Sequence, residues 1–210
     1  MESVYSYPNM AGQTIYVGQS LYVYAGQFGV PNDNKEIKII VDEIRIGGFA
    51  VQASFIGFYK FSDNTCKKIH GEFCLKTMKV THWNGSATGN SVNVHIRPVN
   101  IDDKRINTNT KDKAPVKFGD ILYGKKYDKE TEKLSVYTQR YKVLGVIDRA
   151  YSAALINNEG EVVENYTAIV DTKTHTEIVK PNAKSVVHFF PTEQESHNAY
   201  ICNRLKLIVE

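Results

Sequence analysis

From Ser91 to Val99 apolar and polar residues alternate without a break, with Val92, Val94 and Ile96 on one parity and Asn93, His95 and Arg97 on the other. A period of two fits a pleated strand with one covered face. It does not fit a helix, whose apolar positions recur every three to four residues. The same logic reaches along much of the chain. Thr14 to Tyr24 alternates around Gly18 and reads as a bent strand or a strand pair. In Glu36 to Ile46 the phase of Ile37, Ile39 and Val41 slips at Asp42-Glu43 before Ile44 and Ile46, which calls for a bulge. Phe49 to Phe61 is apolar on both parities near its end, as a central strand would be. Cys66 to His82 reads as a hairpin with Gly71 near its turn. Beyond Gly119, strands are expected over 134–147, 151–156, 161–170, 177–179, 185–190 and 205–209, and Asn157 to Gly160 supplies a hairpin turn. Residues 191–202 can hold a short helix, with Thr192 as its cap and Glu195 as the reciprocal partner.

Composition agrees with the pattern. The chain holds 13 Tyr and 9 Phe against a single Trp, and aromatic and β-branched side chains suit a half-buried pleated surface. The expected fold class is mainly β, as one or two antiparallel barrel or sandwich modules with at most a short helix near the C-terminus. Residues 100–117 are rich in Asp, Asn, Thr and Lys and break the alternation. They divide the chain into a β module over 1–100 with an extended N-terminal arm, a linker or mobile loop over 101–117, and a second module over 118–210. One continuous β domain is the alternative. A short echo supports two modules: Gly18-Gln19-Ser20-Leu21-Tyr22 is matched by Gly119-Asp120-Ile121-Leu122-Tyr123.

Charge narrows the partners only a little. The net charge is +3, divided as +2 over residues 1–105 and +1 over 106–210, which is not the concentrated basic field of a dedicated nucleic-acid binder. Three cysteines are too few and too odd in number for a disulfide framework, so a reducing, cytoplasmic setting is expected, in a host cell or virion if the protein is viral. The N-terminus lacks the basic and apolar regions of a secretory leader, and no apolar run has the length of a membrane span.

For catalysis the chain offers no nucleophile elbow, phosphate loop, dinucleotide fingerprint or zinc-protease helix, so no enzymatic activity and no cofactor are expected. Cys66, His70, Cys74 and His82 are residue types that zinc prefers, but their spacing matches no knuckle or ribbon, and no metal is expected. Segment Gly18 to Gly29 resembles the KOW motif of small SH3-like barrels, in which a Gly-led alternating strand runs into a Gly-rich bend. Gln19 stands where that motif carries Asp, and the final Gly comes early; Gly119-Asp120 matches the motif's opening better. The resemblance implies an SH3-like barrel that binds RNA, DNA-associated machinery or other proteins.

The first expectation is therefore a non-enzymatic binding or assembly protein, of viral or phage type, that contacts protein partners or copies of itself. Tyr5, Tyr7, Tyr16, Tyr22, Tyr24 and Phe28 would supply the contact, since tyrosine offers large area at low entropic cost. The alternative is a nucleic-acid module whose Lys67, Lys68, Lys76, Lys79, Lys125 and Lys126 reach phosphates.

Overall fold

The computed structural model describes residues 2–24, 36–48, 50–60, 66–96, 116–147, 149–179 and 182–209. The chain is mainly β, with antiparallel sheets and one helix near the C-terminus. It divides into two compact units, Met1–Lys111 with Gly145–Asp148, and Asp112–Leu144 with Arg149–Glu210.

In the first unit, β1 (Glu2–Val4), β2 (Ser6–Pro8), β3 (Thr14–Tyr16), β4 (Ser20–Tyr24), β5 (Glu36–Gly47), β6 (Ala50–Lys60), β7 (Cys66–Cys74), β8 (Lys79–Trp83) and β9 (Ser86–His95) follow one another. Each of β5 to β9 pairs with the strand before it in space, and β9 returns to β4, so the ladder β4-β5-β6-β7-β8-β9-β4 runs in a circuit. Alternation fills its inner face with Leu21, Val23, Ile39, Val41, Phe55, Ile69, Phe73, Val80, Trp83 and Val94. The slip expected at Asp42 is present. Val41 faces Phe55 and Glu43 faces Ser54, which leaves Asp42 as the extra residue of a bulge and returns Ile44 to the core.

One expectation about this unit needs correction, that of the turn, while the extended N-terminal residues 2–8 pack on their own unit: β1 extends the edge of β5, with Val4 opposite Ile44, and β2 pairs with β3. Their side chains explain why, because Ile15 is fully buried and Val4, Tyr7 and Val17 pack on the same core. The hairpin turn, in turn, does not fall at Gly71 but at 75–78, where Met78 takes a positive φ. Gly71 sits mid-strand because the Phe55 ring lies where its Cβ would be.

The second unit contains β10 (Ile121–Asp128), β11 (Lys133–Leu134), β12 (Gln139–Val146), β13 (Ala150–Ile156), β14 (Val162–Asp171), β15 (Ser185–Phe190) and α1 (Glu193–Val209). The order is β11-β10-β12-β13-β14, and β15 pairs β10 from its other side. Bridges Val170–Glu177 and Thr176–His188 carry the ladder from β14 to β15. This is the path of the first unit again, with residues 176–177 in the place of β8 and β15 in that of β9.

The echo in the sequence is an echo in hydrogen bonds. Gly18, at φ +88°, donates to Val41 O (2.7 Å), Val41 donates to Gln19 O (3.0 Å), and Gln19 Oε1 accepts from Tyr16 N–H (3.1 Å). Gly119, also at +88°, donates to Val143 O (2.9 Å), Val143 donates to Asp120 O (2.9 Å), and Asp120 Oδ2 accepts from Lys117 N–H (2.7 Å). Only glycine takes this left-handed φ without a steric penalty, and either Gln or Asp can supply the side-chain acceptor. That is why the motif tolerates the exchange at its second position.

The helix starts where its cap places it, with Thr192 Oγ1 accepting from Glu195 N–H (3.2 Å). It runs on to Val209, so residues 205–209, read above as a strand, are its last turns. Five apolar-rich residues cannot distinguish the two periods, and a capped helix already propagating needs only one further bond per residue.

Candidate partner-binding loops

Among the described residues the two most exposed large apolar side chains are Met10 (80%) and Tyr137 (79%). Each stands on a loop whose backbone is fixed from beneath by a buried polar side chain.

In the first unit Asn9 is 8% exposed and closes the β2–β3 hairpin. Its Oδ1 accepts from the amides of Ala11 and Gln13, both at 2.9 Å, while its own N–H donates to Gln13 O (2.9 Å). Gly12 at φ +77° completes the tip and donates to Asn9 O. An Asn that organises its own turn in this way is an ordinary Asx device, but here its result is that Met10 is held out on a rigid tip. Tyr16, also exposed, lies on β3 with its ring 5.9 Å from that of Tyr5. Replacing Asn9 with alanine should cost about 1–2 kcal/mol and accelerate hydrogen exchange at the Ala11 and Gln13 amides above all others. Unchanged protection there would show that the turn does not depend on Asn9.

In the second unit the clamp is Lys125, only 1% exposed. Its ammonium donates to Ser135 O (3.2 Å) and Val136 O (2.9 Å) and lies 5.2 Å from the centre of the Tyr200 ring. Burial disfavours its charge and holds its pKa below the ordinary lysine value. Tyr137 N–H donates to Ser135 Oγ, Thr138 Oγ1 meets Ser196 Oγ (3.1 Å), and Asn203 of α1 holds Leu134 N–H and Glu132 O, both at 2.9 Å. Val136 (58% exposed) and Tyr137 are thus displayed on a strap tied at both ends to the helix.

The residues singled out by sequence scatter around these loops. Tyr5 and Tyr16 come together, Tyr7 packs on the core, and Tyr22 lies on β4 with Lys38 Nζ 6.0 Å from its ring centre. The Tyr24 side chain and Phe28 fall outside the described residues, as do the Cys66 side chain, residues 97–99 of the strand expected from Ser91 to Val99, and residues 101–115 of the expected linker. Lys67, Lys68, Lys76, Lys79 and Lys126 are exposed. Lys125 is not, and its amino group is consumed by two carbonyls, so it is withdrawn from the phosphate-contact set. His82 Nδ1 stands 3.4 Å from Glu72 Oε2, and Glu72 also binds Arg45. Arg45 reaches Glu43 (3.7 Å), which accepts from Ser3 Oγ (2.7 Å) and so helps to fasten β1. Among the described residues no group of three or more His, Cys, Asp or Glu is placed to hold a metal ion, and no helix is long and apolar enough to cross a membrane.

Sequence reading missed Met10, Asn9 and Tyr137. Pro8-Asn9-Met10-Ala11-Gly12 did carry a signal, since an Asn three residues before a Gly is a turn with a mechanism. Comparison with protein-family models, curated proteins and solved structures found no match to the chain.

Proposed function

We propose that this chain is a non-enzymatic binding or assembly protein, of viral or phage type, built on two KOW-like β modules and engaging protein partners through the Met10 and Tyr137 loops. The observation that carries the reading is the pairing, in both units, of a nearly fully exposed apolar side chain with a loop clamped by a buried polar group. A loop already fixed in one conformation loses little entropy when a partner closes over it. Methionine adapts to irregular apolar surfaces, and tyrosine is among the residues that dominate binding energies. The chain's richness in Asn, Lys, Ile and Tyr fits an AT-rich viral genome.

The test is capture from the native host, with protein and nucleic acid both identified by mass spectrometry, followed by affinity measurements on variants. Tyr137→Ala should weaken the captured protein complex by roughly 2 kcal/mol, about thirtyfold, and Met10→Ser should weaken it without altering the circular dichroism of the free chain. Capture of nucleic acid alone, lost steeply with added salt and reduced by replacing Lys67, Lys68, Lys76 and Lys79, would replace this reading by the phosphate-binding one.

A further inference from the structure

The helix α1 does not divide its faces as an ordinary surface helix does. The side it turns to its own unit mixes the half-buried Ala199 and Leu207 with polar contacts: Ser196 is fully buried against Thr138, Asn203 holds the 132–134 backbone, and Tyr200 covers the Lys125 ammonium. On the opposite side, Ile201 and Leu205, one turn apart, face solvent. At about 100° per residue these two share their face with Gln194 and Asn198. Beyond His197 on one flank of that face lie Glu193 and Arg204, and beyond Cys202 on the other lie Glu195 and Lys206; all six are exposed.

We propose that this face is a self-association surface, on which α1 of a second copy of the chain lies antiparallel. The charges select that occupant. In an antiparallel pair related by a two-fold axis each flank meets its own counterpart, so acid must face base within a single flank. Centring the pair between Ala199 and Tyr200 brings Glu193 of one copy within two residues, about 3 Å along the axis, of Arg204 of the second, and Glu195 within two residues of Lys206. Both contacts are repeated by symmetry, giving four complementary pairs. A parallel pair would set like charges side by side. Acidic residues in a first turn and basic ones in a last turn also complement the helix dipole. The dipole, however, does not require them to border an exposed apolar stripe in matched pairs. Ile201 lies beside the axis, where the two copies of it meet, and Leu205 covers Gln194 of the second copy. The surface shares no residue with the Met10 and Tyr137 loops and does not depend on their having a partner.

Sedimentation equilibrium of the full chain tests this directly. The wild type should move from one to two chain masses as concentration rises through the micromolar range. Glu193→Lys with Glu195→Lys, and separately Arg204→Glu with Lys206→Glu, should each remain at one mass, because each places like charges in all four contacts. An equimolar mixture of the two variants should recover two masses, since every contact is again complementary. Ile201→Ser with Leu205→Ser should also remain at one mass, and it leaves the helix ends untouched should circular dichroism show fraying in the charge variants. A wild type that stays at one mass, or a two-chain species that survives Ile201→Ser with Leu205→Ser, overturns the proposal. So does a mixture of well-folded charge variants no heavier than its components.

Discussion

Substituting Gly71 with alanine is expected to destabilise the first unit by roughly 3 kcal/mol or more, a fall of about 15 °C in its melting temperature. A Cβ at Gly71 would lie 2.4 Å from the carbonyl oxygen of His82 and 2.5 Å from Cζ of Phe55. The first neighbour is backbone of the paired strand β8, where Gly71 is opposite Trp83. It cannot swing aside as the tip of a flexible side chain can. The second is the ring of a core residue 1% exposed, in ring contact with Phe73 and Trp83. Relief at one neighbour therefore pushes on the others, and close-packed interiors transmit such strain rather than absorb it. Gly85→Ala is the informative control, because its Cβ would meet open space and only the φ of +85° is strained, which costs about 1–2 kcal/mol. Scanning calorimetry should show the Gly71 variant's transition well below that of the Gly85 variant. Equal shifts would mean that the β7–β8 pairing can open without loss of the core.

That pair of glycines also marks the boundary of what could be read from residues alone. Alternation is a property of the chain itself, so the strand at Ser91 to His95 and the slip at Asp42 were legible before any partner strand was known. The repeated turn at Gly18 and Gly119 was legible for the same reason, since the glycine and its acceptor lie adjacent in sequence. Gly71 was misplaced because a glycine in a sequence signals either a positive φ or a close approach, and only the position of Phe55 separates the two. Lys125 was misread on similar grounds. Beside Lys126 it looked like solvated charge, and it lies on the parity of β10 opposite to the buried Leu122 and Gly124, yet Ser135, Val136 and the Tyr200 ring cover it there. The candidate loops were the least legible part, because exposure of Met10 and Tyr137 depends on clamps formed by residues whose burial is a tertiary fact.

Raising the pH above 10 is expected to unfold the second unit through its buried tyrosines. Tyr141 is 1% exposed and Tyr151 is fully buried. Burial is the main cause that raises both phenols above the ordinary value of 10, with Glu177 adding repulsion for Tyr141 and Asp171 for Tyr151. Tyr141 is pushed up to about 12 and Tyr151 higher still. Tyr166, whose hydroxyl donates to Glu177 Oε1 (3.1 Å), is raised in the same direction, but it is more than a third exposed and solvent screens its share. Between pH 10 and the folded values the unfolded chain has released protons that the folded chain still holds. Stability therefore falls with rising pH throughout that window, by about 1.4 kcal/mol for each of the two buried phenols at pH 11. Lys125 acts in the opposite sense. Its folded value lies below the ordinary 10.5, so the penalty for burying its charge is present at neutral pH and is relieved as pH climbs toward that value. One lysine offsets part of the loss below 10.5 and none of its further growth above. Tyrosinate absorbance followed together with circular dichroism decides the matter. Tyr151→Phe should lower the tyrosinate amplitude that appears as the β signal disappears, and should flatten the dependence of stability on pH above 10 by the share of one phenol. Complete ionisation of all tyrosines near pH 10 with the β signal intact would mean that water reaches Tyr141 and Tyr151 in the folded unit.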